Sequence, residues 1–306
     1  MYLSQVAFGV MDGKRTGRFY SKLLGFRPAG STRLFRGQLA SRIQGIPNVA
    51  STCRWFVDGQ ELFQLEMFEF ERPRPRPIPG DWRPCDIGYT RLTLEVEDLE
   101  KTLERLKRAG HPSIAGAIEF AGSRGACVYD PEGVLLELVQ ASDGGLMPDF
   151  SVRASAVGLS VPDLAHSRRF FGDVLEIPIR ERQQPGRDAR WGLAEAQCEG
   201  FALELGGRSV EIAQYEKPLP VPRPNDYRMS DQGLIHIAIG FRNQRDLRSA
   251  CKRALSAGYK ANFRIFNFGF GSCVYLRDDQ GFTVELLCCK PIGERFIGFR
   301  GRGKSH

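Results

Sequence analysis

No apolar run in this sequence approaches the ~20 residues a helix needs to cross a bilayer, which excludes a membrane-spanning helix. The start, Met1-Tyr2-Leu3-Ser4-Gln5, has neither the basic residues nor the apolar stretch of a secretory leader. No Cys-x-x-Cys pair occurs among the eight cysteines, which argues against a zinc knuckle or a thioredoxin-type redox site. Several cysteines sit in apolar stretches, as Cys127 and Cys251 do, so the expectation is buried, reduced thiols in a cytoplasmic protein. Basic residues are in excess, with a formal net charge of +7 and a pI of about 9.1. They are scattered rather than gathered with stacking aromatics, so nucleic acid is not an expected partner. Two local clusters, Arg72/Arg74/Arg76 and Arg300/Arg302/Lys304, read as a solvated linker and a basic tail over 291–306. A positive field drawing in an anionic substrate is the functional alternative.

What the chain does contain is repetition. Four short stretches alternate large apolar and small or polar residues: Val6/Phe8/Val10, Leu92/Leu94/Val96, Val157/Leu159/Val161 and Ile237/Ile239/Phe241. Each reads as a strand with one greasy face. A helix follows each strand. Asp98 and Asp163 stand where an N-cap accepts backbone N–H bonds, and Leu99, Leu103 and Leu106 form one apolar stripe. Two modules close alike, with Asp130-Pro131-Glu132-Gly133 before Val134–Val139 and Asp278-Asp279-Gln280-Gly281 before Phe282–Leu287.

A longer repeat lies above this one. Two proline-rich linkers, Glu71–Pro77 leading to Asp86-Ile87-Gly88 and Glu216–Pro222 leading to Asp231-Gln232-Gly233, recur with a shift of 145 positions. Such prolines stiffen a crossing segment. The chain therefore divides into two halves of two β-α-β-β-β modules each. These are an N-terminal unit over 1–140, a C-terminal unit over 152–290, and the tail. A repeat this long fits paired barrel-like domains better than a solenoid.

The modules resemble those of the vicinal oxygen chelate superfamily of glyoxalases, epimerases, bleomycin resistance proteins and extradiol ring-cleaving dioxygenases. The resemblance covers nearly the whole chain. It rests on Asp163–Phe171 followed by Val174-Leu175-Glu176-Ile177, on Arg18-Phe19-Tyr20 with Leu23-Leu24-Gly25-Phe26, and on the Asp-Pro-Glu-Gly-x-x-x-Glu-Leu run from Asp130 to Leu138. It implies an α+β fold of four βαβββ modules in two cup-like curved sheets.

The resemblance also implies two metal-ligand slots per module. The slot opening the first strand holds Gln5, Arg91, Ala156 and His236; the slot in the last strand is assigned to Gln64, Glu137, Glu211 and Glu285. If modules pair in order, the C-terminal cup offers Glu211, His236 and Glu285, and Arg91 fills the N-terminal cup, pairing with Glu137 because a guanidinium has no lone pair for a metal. The small residues Gly158, Ser160, Ala238 and Gly240 are expected to leave room beside His236. If module one pairs with four and two with three, the cup holds Gln5, Gln64, His236 and Glu285, and Arg91 lies between Glu137 and Glu211. The remaining histidines, His111, His166 and His306, read as solvated or capping residues.

Imidazole with carboxylates suits Fe²⁺, Mn²⁺, Co²⁺, Ni²⁺ or Zn²⁺. Two activities follow from the resemblance. One is acid–base chemistry on a chelated oxygen substrate, with Glu211 as the base beside Glu285. The other is ring cleavage, for which Tyr275, Asp278, Gly281 and Glu285 match a Tyr-x-x-Asp-x-x-Gly-x-x-x-Glu signature, while Ala156 and Asn267 stand where that group has histidines. A metal-free binding or resistance protein is the third reading. The expected partner is a small molecule, anionic or aromatic; the substrate and oligomeric state are left open.

Overall fold

The computed structural model describes residues 1–120, 122–142, 144–181, 187–294 and 296–299. Arg300, Arg302, Lys304 and His306 lie outside the described residues. No described helix is long and apolar enough to cross a membrane.

Each module folds as its alternation requires. Module one supplies β1 (Tyr2–Val10), β2 (Arg27–Thr32), β3 (Ala50–Val57) and β4 (Gln64–Arg72). Module two supplies β5 (Gly88–Val96), β6 (Ile118–Phe120), β7 (Ser123–Tyr129) and β8 (Leu135–Gln140). Module three supplies β9 (Val152–Ser160), β10 (Ile179–Glu181), β11 (Gln197–Glu204) and β12 (Ser209–Lys217). Module four supplies β13 (Gly233–Gly240), β14 (Lys260–Ala261), β15 (Phe266–Asn267), β16 (Gly271–Arg277) and β17 (Thr283–Cys289). The expected caps are in place: Asp98 accepts from Lys101 N ahead of the helix Leu99–Arg108, and Asp163 from His166 N ahead of Leu164–Arg168.

The strands form two curved sheets, one of nine strands and one of eight. The pairing of modules in order gives way here to the alternative. β1 runs antiparallel to β13, and β5 antiparallel to β9, so one sheet joins modules one and four and the other joins two and three. The two halves remain repeats in sequence, yet each cup draws one module from each half. The proline-rich linkers make this crossing possible by carrying the chain from one sheet to the other. Matching cis peptides, Arg72–Pro73 and Lys217–Pro218, mark the point where each linker leaves its sheet.

The alternation sorts the side chains. Val6, Phe8, Val10, Leu92, Leu94, Val157, Leu159, Ile237 and Ile239 turn away from the cups and join one core cluster shared by both sheets. Burying such side chains stabilises by about 25 cal/mol per Å² of apolar surface. The residues between them are left to line the cups.

Candidate metal centre

Parallel and antiparallel registers set the first cup. Ala7 of β1 lies opposite both His236 on β13 and Glu66 on β4, while Ala238 lies opposite Glu285 on β17. His236 and Glu285 therefore stand in the same relation as Gln5 and Glu66, two positions apart across a parallel pair. Ligand atoms of Glu66, His236 and Glu285 fall within 4.8 Å of one another, and all three residues are buried. His236 Nε2 lies 3.5 Å from Glu285 Oε2 and 4.0 Å from Glu66 Oε2. Neither ring nitrogen of His236 has a hydrogen-bond partner among the described residues, nor does Gln5 Oε1.

Each glutamate faces an aromatic residue on the adjacent strand, with a cysteine two residues before it. On β3, Trp55 donates its indole N–H to Glu66 Oε1 at 2.8 Å, with the Cys53 thiol at 3.9 Å from the same oxygen. On β16, Cys273 and Tyr275 take the equivalent places beside Glu285, and the Tyr275 ring meets His236 edge-on at 5.2 Å. Burial, then the nearby Glu285 charge, pushes the Glu66 carboxyl well above the ordinary carboxylate range. Burial and the Glu285 carboxylate raise Tyr275 well above the ordinary phenol range. Apart from His236, no cationic side chain among the described residues is within ion-pair distance of Glu66 or Glu285. Two buried carboxylates, an unpaired imidazole and an unpaired amide oxygen are a donor set that fits a divalent cation.

Ala7, Phe68, Phe70, Ile235 and Ala238 give the cup an apolar wall. Phe299, near the end of the described chain, packs into the same cluster. Gly298, at φ +79°, must be glycine, because a Cβ there would stand 2.5 Å from the Trp55 ring. Trp55 is inside this cup and Phe268 packs against it, whereas Trp191 belongs to the second cup.

The second cup is closed by charge. Arg91 makes an ion pair with Glu211 and lies 3.8 Å from Glu137. Arg187 bridges the same two carboxylates, at 2.7 Å from Glu137 and 2.6 Å from Glu211, and Arg190 reaches Glu137 at 3.1 Å. Thr93 Oγ1 donates to Glu137 at 2.9 Å. The Arg91 guanidinium stacks 4.1 Å above the Trp191 ring. Burial alone would raise the Glu137 pKa, but Arg187 and Arg91 hold it below its ordinary value.

The structure departs from the sequence pattern in three places. Glu211, expected with His236, stands in the other sheet between Arg91 and Arg187. Gln64, assigned to the ligand slot, lies one alternation ahead of Glu66 and opposite Gln5, its amide without a hydrogen-bond partner among the described residues. Glu66 itself was missed because Gln64 and Glu66 share a face, so period two cannot separate them. The signal that could have found it is chemical, since the other three last strands all carry glutamate in that slot. The room expected beside Gly158 and Gly240 is also filled, by the side chains of Arg91 and Tyr2. Arg187, Arg190 and Trp191 had no signal in the repeat pattern, because they lie on the short 3-10 helix Arg187–Trp191, outside the strands.

The glyoxalase/bleomycin resistance protein/dioxygenase superfamily model matches residues 2–138 and 153–286. The chain belongs to that superfamily. Among solved structures, a candidate dioxygenase from Bacillus subtilis is similar over 95% of this chain and 86% of its own, with a TM-score of 0.68 and 15% identity. Glyoxalase I from Zea mays is similar over 97% of this chain and 94% of its own, with a TM-score of 0.64 and 16% identity. At such identities the likeness establishes the shared fold. No curated protein matches the chain.

Proposed function

We propose that the chain is a metal-dependent enzyme of glyoxalase or epimerase type, moving a proton at carbon next to a chelated oxygen. The observation that carries this reading is the convergence of Glu66, His236 and Glu285 beside the unpartnered oxygen of Gln5. These four residues would hold a divalent cation. When bound, that cation supplies Lewis acidity to a substrate carbonyl or hydroxyl oxygen.

The chain's own residues do the rest. Glu66 and Glu285 face each other across His236, so each can take or return a proton at one face of a substrate carbon. Trp55 fixes Glu66 with a donor that does not titrate, and Tyr275 orients Glu285. The apolar wall of Phe68, Phe70 and Phe299 excludes water from the reacting carbon. Glu211 cannot serve as the base, because two guanidiniums hold it in the other cup.

A set with one imidazole and two carboxylates favours this chemistry over ring cleavage, whose iron site calls for two histidines and one carboxylate. Elemental analysis of protein purified from metal-supplemented medium tests the reading. About one divalent ion per chain is expected, with loss of most of it in His236→Ala. No metal in the wild type, or full occupancy in His236→Ala, overturns it in favour of a metal-free binding protein. Oxygen uptake with a catechol would overturn it in favour of a dioxygenase.

A further inference from the structure

The two linkers cross near each other, and between them is a cavity of about 370 Å³, away from both cups. That is within the range of sites for small organic ligands. Its walls are largely apolar, from Ile78, Trp82, Ile87, Val134 and Leu234. The linkers also place two arginines on its lining, and their states differ. Arg76 is fully engaged, bonded to Asp226 at 2.5 Å and Asp231 at 2.6 Å. Arg223 rests against the rings of Tyr227 and Phe282, at 4.3 and 4.5 Å, and no carboxylate among the described residues is within ion-pair distance of it. It makes no hydrogen bond to a described residue either.

We propose that this crevice is a second small-molecule site, one that takes a monocarboxylic acid with a flat apolar body and seats the carboxylate on Arg223. A guanidinium carries five N–H donors in a planar fork that matches a carboxylate two bonds at a time. Ring contacts occupy the faces of that fork and strip water from it, leaving its edge as the place for an acceptor. The other charges on the lining set the ligand's charge. Asp86 is satisfied by Arg83 and by the Val221 backbone N–H, and Asp231 by Arg76. Asp81 adds a further negative charge at the rim. One free guanidinium among these carboxylates suits a single negative charge and disfavours a doubly charged phosphate. The apolar walls, with the Trp82 ring among them, suit an aromatic or branched body.

The site arises from an asymmetry between the repeats. The 145-residue shift places Arg223 where the first linker has Ile78. A Cβ on Gly233 would meet Ile78 at 3.2 Å, and one on Gly88 would meet the Arg223 guanidinium at 3.5 Å. The same scaffold thus offers a greasy wall from one linker and a charged anchor from the other. Leu234, on the wall, is two residues before His236, so an occupant touches the strand that carries the metal cup.

Isothermal titration calorimetry with benzoate tests the proposal, with benzamide as the uncharged isostere. Benzoate should bind once per chain to the wild type and equally to His236→Ala. It should bind at least tenfold more weakly to Arg223→Gln, and benzamide should bind the wild type at least tenfold more weakly. A second variant, Val221→Trp, fills the mouth from a side chain that is already 56% exposed, and it decides the matter if Arg223→Gln fails to fold. It too should lose benzoate. No heat of binding at millimolar benzoate overturns the proposal, as does binding that survives these variants or equal affinity for benzamide. Binding lost in His236→Ala but kept in Arg223→Gln would place the carboxylate in the metal cup and also overturn it. None of these results bears on the metal content of the wild type, so the two readings fail separately.

Discussion

The indole N–H of Trp55 donates to Glu66 Oε1 at 2.8 Å, in a cup where His236 is the one cationic side chain among the described residues within ion-pair distance of that carboxylate. The bond fixes one carboxylate oxygen and leaves Glu66 Oε2 turned to His236. A donor of this kind raises the affinity of a metal site by holding its ligand in place, and losing one typically costs 10–100-fold in metal affinity.

Trp55→Phe keeps a ring for Gly298 to pack on and removes the donor together with part of the indole. Co²⁺ affinity, followed by the visible absorption of the bound ion, should fall by about tenfold or more. The band positions should shift as Glu66 reorients, while the thermal melting of the apo protein changes little. Affinity within twofold of the wild type, with an unchanged spectrum, would mean that the indole only fills space.

The second cup should behave as structure rather than chemistry. Glu137 is fully buried and serves Arg91, Arg187 and Arg190 together. Glu137→Gln leaves Arg91 and Arg187 with Glu211 and takes from Arg190 the carboxylate it pairs with, and stranding buried charge costs about 3–5 kcal/mol. Glu211 is more exposed and its arginines keep Glu137, so Glu211→Gln should cost clearly less. Urea denaturation gives both values. Neither variant should change the metal content, and a loss of metal in Glu211→Gln would restore that residue to the active set.

How much of this was legible beforehand depends on distance along the chain. The modules could be read because alternation is local: Val6/Phe8/Val10 and Ile237/Ile239/Phe241 declare one buried face each. His236, Glu285 and Gln5 could be placed by their position against that alternation. Which modules share a cup could not be read, because Ala7 meets His236 across more than 200 residues and nothing local encodes that register. The choice between Gln64 and Glu66 failed for a different reason, since residues two apart on a strand point the same way. The charge network around Glu137 was visible only as Arg91; Arg187 and Arg190 enter from a short helix whose own Trp191 packs on Cys127 and Leu135, a tertiary contact.

The two matching turns place their aspartates in unlike surroundings. Asp130 and Asp278 each accept two backbone N–H bonds on one oxygen, from Glu132 and Val134 and from Gln280 and Phe282. Their second oxygens differ. Asp130 Oδ2 accepts the Tyr20 hydroxyl at 3.0 Å, whereas Asp278 Oδ2 is buried with no partner among the described residues. Burial, offset only in part by the backbone bonds and the Arg223 charge, pushes the Asp278 carboxyl up to about 7 from 3.8. The folded state therefore holds this proton more tightly than the unfolded chain. The resulting stabilisation is complete below about pH 4 and is lost as pH rises through about 7. Asparagine at 278 can accept the same two backbone bonds and does not titrate. Asp278→Asn should match the wild type near pH 4 and exceed it by on the order of 1–3 kcal/mol at pH 8. Urea midpoints of both proteins across this window check it. A stability difference that stays constant from pH 4 to pH 8 would show that Asp278 titrates alike in the folded and unfolded chains.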